Sequence, residues 1–100
     1  MGRLGESIAA RFLTEHGLEV VARNVGVGRG EVDLLALDDG VRVVAEVRTV
    51  SGHIDPIDAI GVEKRRRVRR LAAVVGAGRV DFVGIGLRPD GIVVHWVPGC

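Results

Sequence analysis

The residue pattern predicts an α/β fold in the order helix, three strands, helix, two strands. Three observations lead there. Apolar residues recur at helical spacing over residues 3–16 and again over 62–75. Between and after these stretches come short runs rich in valine, leucine and isoleucine, which suit strands. Asp39-Gly40 separates two such runs, and this is the dipeptide that a two-residue type I′ hairpin favours.

In the first helix, Arg3 to His16, Leu4, Ile8, Ala9, Phe12 and Leu13 share a face, and Gly17 supplies the stop. Glu6 falls at the edge of that apolar arc. It either looks along the sheet or serves only as a first-turn carboxylate favoured by the helix dipole. Leu18 to Asn24 reads as the first strand, and Gly26 to Gly30 as a flexible loop. Gly26-Val27-Gly28 is no phosphate cradle, because a strand and not a helix follows it. The second and third strands, Glu31 to Leu37 and Val41 to Arg48, are apolar on both faces, so both are central.

Thr49 to Pro56 is a polar loop in which His53 reads as a solvated residue. The second helix, Val62 to Val75, carries Val68, Leu71, Ala72 and Val75 in one stripe before Gly76 and Gly78. Lys64 projects onto the middle of that stripe one turn before it begins, so it should point over the end of the sheet. The last strands, Arg79 to Gly86 and Ile92 to Val97, are joined by Pro89-Asp90-Gly91. Asp81 shares a face with Val83 and Ile85 and is expected to form a structural ion pair. His95 and Trp96 are expected in core or edge packing, with base stacking as the alternative.

Composition sets the bounds. One hundred residues is the size of one domain, so residues 1–100 are expected to form a single unit. With 47% hydrophobic and 27% charged residues the chain is globular, and with only 3% aromatic residues its core must be aliphatic. A net charge of +1 implies no partner by itself, but the basic residues are unevenly spread. Lys64, Arg65, Arg66, Arg67, Arg69 and Arg70 crowd into one helix without an interleaved acid, a candidate surface for phosphates. The only cysteine is Cys100, which rules out an internal disulfide framework; His16, His53 and His95 are scattered and suggest no zinc site. No apolar run approaches the roughly 20 residues of a membrane span, and no signal-peptide core is visible, so the chain is expected to be soluble and cytoplasmic.

The chemistry lies in the hairpin. With Asp39 and Gly40 at its turn, Asp33 falls opposite Glu46 and Glu31 opposite Arg48. Opposed residues hold their Cβ atoms roughly 4.5–5.5 Å apart, where two like charges destabilise a sheet. A divalent cation between the two carboxylates would neutralise them, and so would a proton on one.

Asp33 and Glu46-Val47-Arg48 on adjacent strands resemble the PD-(D/E)xK nuclease superfamily. The closer resemblance is to the YraN-like family of small bacterial endonuclease-like proteins. Its landmarks stand here as Gly5-Glu6, Ala22-Arg23-Asn24, Gly30 to Leu34, Glu46 to Thr49, Pro56 with Ala59-Ile60, the basic run from Lys64, and Val80 to Gly84. The resemblance implies a restriction-endonuclease-like αβββαββ fold, a central mixed sheet flanked by two helices. It further implies that Asp33, Glu46, the Val47 carbonyl and Glu6 hold Mg²⁺ or Mn²⁺, that Arg48 and Lys64 join Asp33 and Glu46 in catalysis, and that the substrate is nucleic acid, DNA in preference to RNA. By analogy with junction-cutting enzymes the protein would be a homodimer. The motif position normally filled by lysine holds Arg48, which cannot act as a general base but can clamp a phosphate. Three readings follow: a metal-dependent nuclease; a nucleic-acid-binding module of the same fold that lost turnover; and an interaction protein in which Glu31 and Asp33 merely form salt bridges with Arg48.

Overall fold

The computed structural model describes residues 2–53, 55 and 60–99. Pro56, Ala59 and Cys100, named above, lie outside the described residues. Two helices and five strands follow the expected order: α1 (Gly2–Glu15), β1 (Glu19–Val27), β2 (Gly30–Asp38), β3 (Val41–Ser51), α2 (Val62–Val74), β4 (Arg79–Arg88) and β5 (Gly91–Val97). The strands lie in one sheet in the order β1-β2-β3-β4-β5. β3 and β4 run parallel, with α2 in the connection between them, and every other neighbouring pair is antiparallel.

Both helices end as the glycines dictate. Beyond α1, Leu18 N–H reaches back to the Leu13 carbonyl (3.0 Å) and Gly17 has φ +96°. Beyond α2, Ala77 N–H bonds Ala72 (2.9 Å) across Gly76 at φ +70°. This six-to-one closure needs a left-handed residue, which glycine adopts without a Cβ penalty.

Each helix covers one face of the sheet. Ala9, Ala10 and Leu13 pack on Leu34, Ala36, Ala45, Val83 and Ile85, while Val68 and Ala72 pack on Val27, Val32, Val44 and Phe82. β2 and β3 are therefore covered on both sides, as their continuous apolar runs require. Some strand ends differ from the sequence expectation. β1 runs on to Val27 because the glycine-rich stretch needs only Gly28-Arg29 to turn, and Val27 already pairs with Gly30. β3 extends to Ser51 because β4 continues beside it as far as Leu87.

The hairpin register is the predicted one near its turn. Asp39 and Gly40 take φ +50° and +83°, as a type I′ turn demands, and pairing proceeds from Asp38↔Val41 to Leu34↔Ala45. There the ladder stops. β2 stays with β1 as far as Val27↔Gly30, and β3 stays with β4, so the two central strands part beyond Leu34 and Ala45. Glu31 accordingly lies beside Gly26 of β1, and the expected Glu31–Arg48 pairing does not form.

A candidate metal and nucleic-acid site in the strand fork

The fork positions the carboxylates. In a ladder closed at Asp38↔Val41, hydrogen-bonded pairs alternate, and Val32 would take the Val47 N–H. Instead the Asp33 side chain accepts that N–H at 2.8 Å, so a carboxylate replaces the backbone where the strands separate. Asn24, at φ +52°, lies level with Asp33 between the pairs Arg23↔Leu34 and Val25↔Val32. The strand changes phase at the same place: Val32 packs beneath α2 and Leu34 beneath α1. Within one strand, N–H and C=O of a residue point to the same neighbour, so the Val47 carbonyl also looks into the fork.

Glu46 is only 3% exposed. One of its oxygens meets Lys64 Nζ at 3.0 Å, while the other, Oε2, is buried without a hydrogen-bond donor among the described residues, so it can bond Asp33 only when one of the two acids is protonated. Burial raises the Glu46 carboxyl from 4.5 to about 7; the Asp33 charge and a hydrogen bond with Asp33 act in the same direction, and Lys64 opposes them. Glu6, half-buried on α1, is also raised, first by burial and then by Asp33, with a hydrogen bond from the Asn24 side chain acting against the rise. Asp33 and Glu46 thus share one electrostatic environment without being paired in the ladder.

Glu6 reaches this place because Gly5 does. A Cβ on Gly5 would collide with the Thr49 side chain, so the missing side chain lets α1 lie against β3 just beyond Glu46. Glu6, Glu31, Asp33 and Glu46 line an open pocket of about 490 Å³, together with Arg29, Lys64 and Arg67.

These residues fit a hard cation. All the donors are oxygens, and the orphaned Glu46 Oε2 lacks what a cation would supply. Among the described residues no three acidic, histidine or cysteine side chains converge as a ready-made metal cage. Magnesium commonly uses one or two carboxylates and keeps further positions for water and phosphate.

The basic run divides around its helix. Lys64 and Arg67 line the pocket, and Arg70 continues that side one turn on. Arg65 turns inward instead, its guanidinium 5.2 Å from the Phe82 ring centroid and its Nε donating to the Ile60 carbonyl. Arg66 pairs with Glu63, and Arg69 is exposed. Arg48 is exposed, does not line the pocket, and forms no ion pair with Glu31 or Asp33 among the described residues. The cation that the site does bring to Glu46 is Lys64, four residues before the buried Val68 on the helix. Arg29 was missed by the sequence reading, because a two-residue turn carries no local chemical signal; Asn24 appeared there only within the landmark Ala22-Arg23-Asn24, with no role assigned to it.

Asp81, fully buried, is structural as expected. Arg79 grips it through two nitrogens (2.8 and 3.0 Å) while reaching Asp38 at 2.7 Å, and the Trp96 indole and Gly99 N–H complete its partners. Trp96 also packs edge-on against Phe12, and His95 bonds Asp55 at 3.1 Å. His53 is exposed.

Comparison with known proteins agrees with this architecture. A model of the uncharacterised protein family UPF0102 matches residues 5–85. A UPF0102 protein of Leifsonia xyli subsp. xyli is 36% identical over 115 residues, covering 99% of this chain and 93% of the relative. One from Streptomyces coelicolor is 42% identical over 106 residues, covering 94% and 82%. Among solved structures, Archaeoglobus fulgidus Hjc, a Holliday junction resolvase, superposes with a TM-score of 0.63 at 15% identity, over 96% of this chain and 75% of that one. The fold is therefore nuclease-like, a mixed sheet between two helices. No helix among the described residues is long and apolar enough to cross a membrane.

Proposed function

Because this chain belongs to the UPF0102 (YraN) family and has a nuclease-like fold, we propose that it binds nucleic acid, DNA in preference to RNA, and hydrolyses phosphodiester bonds with the help of Mg²⁺ or Mn²⁺. The observation that carries this reading is the buried Glu46 oxygen without a partner beside Asp33. Asp33, Glu46 and the Val47 carbonyl would hold the ion, and Glu6 would join through water or substrate. When bound, magnesium would neutralise charge on the scissile phosphate and make water a better nucleophile.

The chain's own residues do the rest. The fork holds Asp33 through the Val47 N–H, which binds one carboxylate oxygen and leaves the other to be used by the ion. Lys64, on a packed helix, holds an ammonium against Glu46 and is placed to orient attacking water or stabilise charge at phosphorus. In the reaction the water oxygen bonds to phosphorus, one ester P–O bond breaks, and the water proton passes to solvent while the leaving oxygen is protonated. Arg48 acts on the substrate as a phosphate contact. Its exposure outside the pocket supports the second reading, a binding module without turnover.

One experiment separates them. Mn²⁺ and Mg²⁺ are titrated calorimetrically against wild type and Asp33→Asn, and linear, flapped and four-way-junction DNA are assayed for binding and for cleavage with Arg48→Lys and Lys64→Ala alongside. The nuclease reading expects metal binding that Asp33→Asn abolishes, and cleavage lost in Lys64→Ala. DNA binding without cleavage by the wild type means the binding module, whether or not Arg48→Lys cleaves. Absence of both metal and DNA binding refutes either reading.

A further inference from the structure

We infer that Arg29 and Arg67, contributed by two different elements to the lining of the fork pocket, together clamp the phosphates of a single nucleic-acid strand. The inference rests on the nucleic-acid reading above and assigns the contacts that hold the strand. Most arginines in the described structure are committed elsewhere. Arg11 pairs with Glu15, Arg66 with Glu63, and Arg79 with two aspartates; Arg23 donates to the Ser7 hydroxyl, Arg42 to the Val75 carbonyl and Arg88 to the Gly52 carbonyl, and Arg65 lies on Phe82.

Arg29 and Arg67 differ. Both are exposed, both line the carboxylate pocket, and neither makes a hydrogen bond or ion pair among the described residues. They stand on different elements: Arg29 in the turn between β1 and β2, Arg67 one helical turn beyond Lys64. Lys64 is already engaged with Glu46. The pocket therefore combines four acids with two uncommitted guanidinium groups. A phosphodiester cannot approach such a lining without cationic help, and guanidinium groups take phosphate oxygens bidentately. A strand crossing the pocket would give one phosphate to Arg29 and another to Arg67, with the phosphate to be cleaved lying between those two, over Asp33 and Glu46. Arg70, farther along the same side of α2, extends the track.

The test is the salt dependence of binding in EDTA, read by fluorescence anisotropy with a labelled single-stranded DNA and the RNA of the same sequence. Each phosphate contact contributes about 0.7 to the slope of log K against log salt on a single strand. Arg29→Gln and Arg67→Gln should each flatten the slope by about that amount and the double variant by about twice as much, whereas Arg11→Gln, on the far side of α1, should leave it unchanged. Both pocket arginines are exposed, so circular dichroism will show the variants folded. Slopes equal to wild type, or a loss no larger than that of Arg11→Gln, overturn the clamp. So does a wild type that binds neither probe. Flattened slopes support it whether or not the wild type cleaves DNA with Mn²⁺; if it does not, the hydrolytic reading falls alone.

Discussion

Replacing Glu46 by glutamine should change how stability depends on pH. The folded-state carboxyl titrates at about 7 against 4.5 when unperturbed, because it is buried beside Asp33. Between those values the folded protein binds a proton that the unfolded chain has released. Its contribution to stability is therefore complete below pH 4.5 and lost as pH rises through 7. At about 1.4 kcal/mol for each pH unit, the displacement is worth about 3 kcal/mol. Glutamine resembles the protonated acid in shape and charge, so Glu46→Gln should match wild type at pH 4.5 and exceed it by about 3 kcal/mol at pH 8. Glu6, raised in the same direction, contributes equally to both proteins and cancels in the difference. The measurement is urea unfolding in EDTA at half-unit steps from pH 4.5 to 8.5, followed by the fluorescence of Trp96, the only tryptophan. Parallel stability curves for the two proteins, or a wild type that gains on the variant as pH rises, would refute the reasoning.

Two further substitutions test the supports of the site. Gly5→Ala would drive a Cβ into the Thr49 side chain, and overpacking of this kind costs about 1–3 kcal/mol; thermal unfolding should show the loss, and adding Thr49→Ala should recover most of it. Asp81→Asn leaves Arg79 without its buried anionic partner, and breaking such a pair costs about 3–5 kcal/mol. Because the Trp96 indole donates to Asp81 at 3.0 Å, native-state emission should shift along with stability; an unchanged spectrum and unchanged stability would remove Asp81 from its structural role.

What the sequence revealed followed from rules that act locally. The Asp39-Gly40 turn fixed which residues oppose one another near it, and the pairing down to Leu34↔Ala45 obeys that rule. Asp81 was readable from alternation, since its neighbours Val83 and Ile85 must be buried and an acid on the same face needs partners. The glycines between Gly26 and Gly30 misled because composition marks where a chain can bend, whereas Val27↔Gly30 pairing shows that two residues suffice. Lys64 could be placed from its position above the apolar stripe of the second helix, but Arg65, three residues before the buried Val68, turned onto Phe82 instead of joining a basic face.

The parting of β2 and β3 was illegible for a deeper reason. A hairpin rule assumes that each strand keeps its neighbour, yet here each strand has a second one that holds it longer: β1 for Asp33's strand, β4 for Glu46's. Three separately anchored elements then deliver the carboxylates: α1 through the contact of Gly5 with Thr49, β2 through β1, and β3 through β4. No two of the acids Glu6, Asp33 and Glu46 owe their proximity to a shared ladder rung, so their spacing is a property of packing and not of register. An aligned Asp33/Glu46 rung would instead fix two like charges at one distance. The Asp33–Val47 bond ties β2 to β3 just beyond the last rung, and the buried Glu46 oxygen leaves a binding requirement that a cation entering the fork can meet.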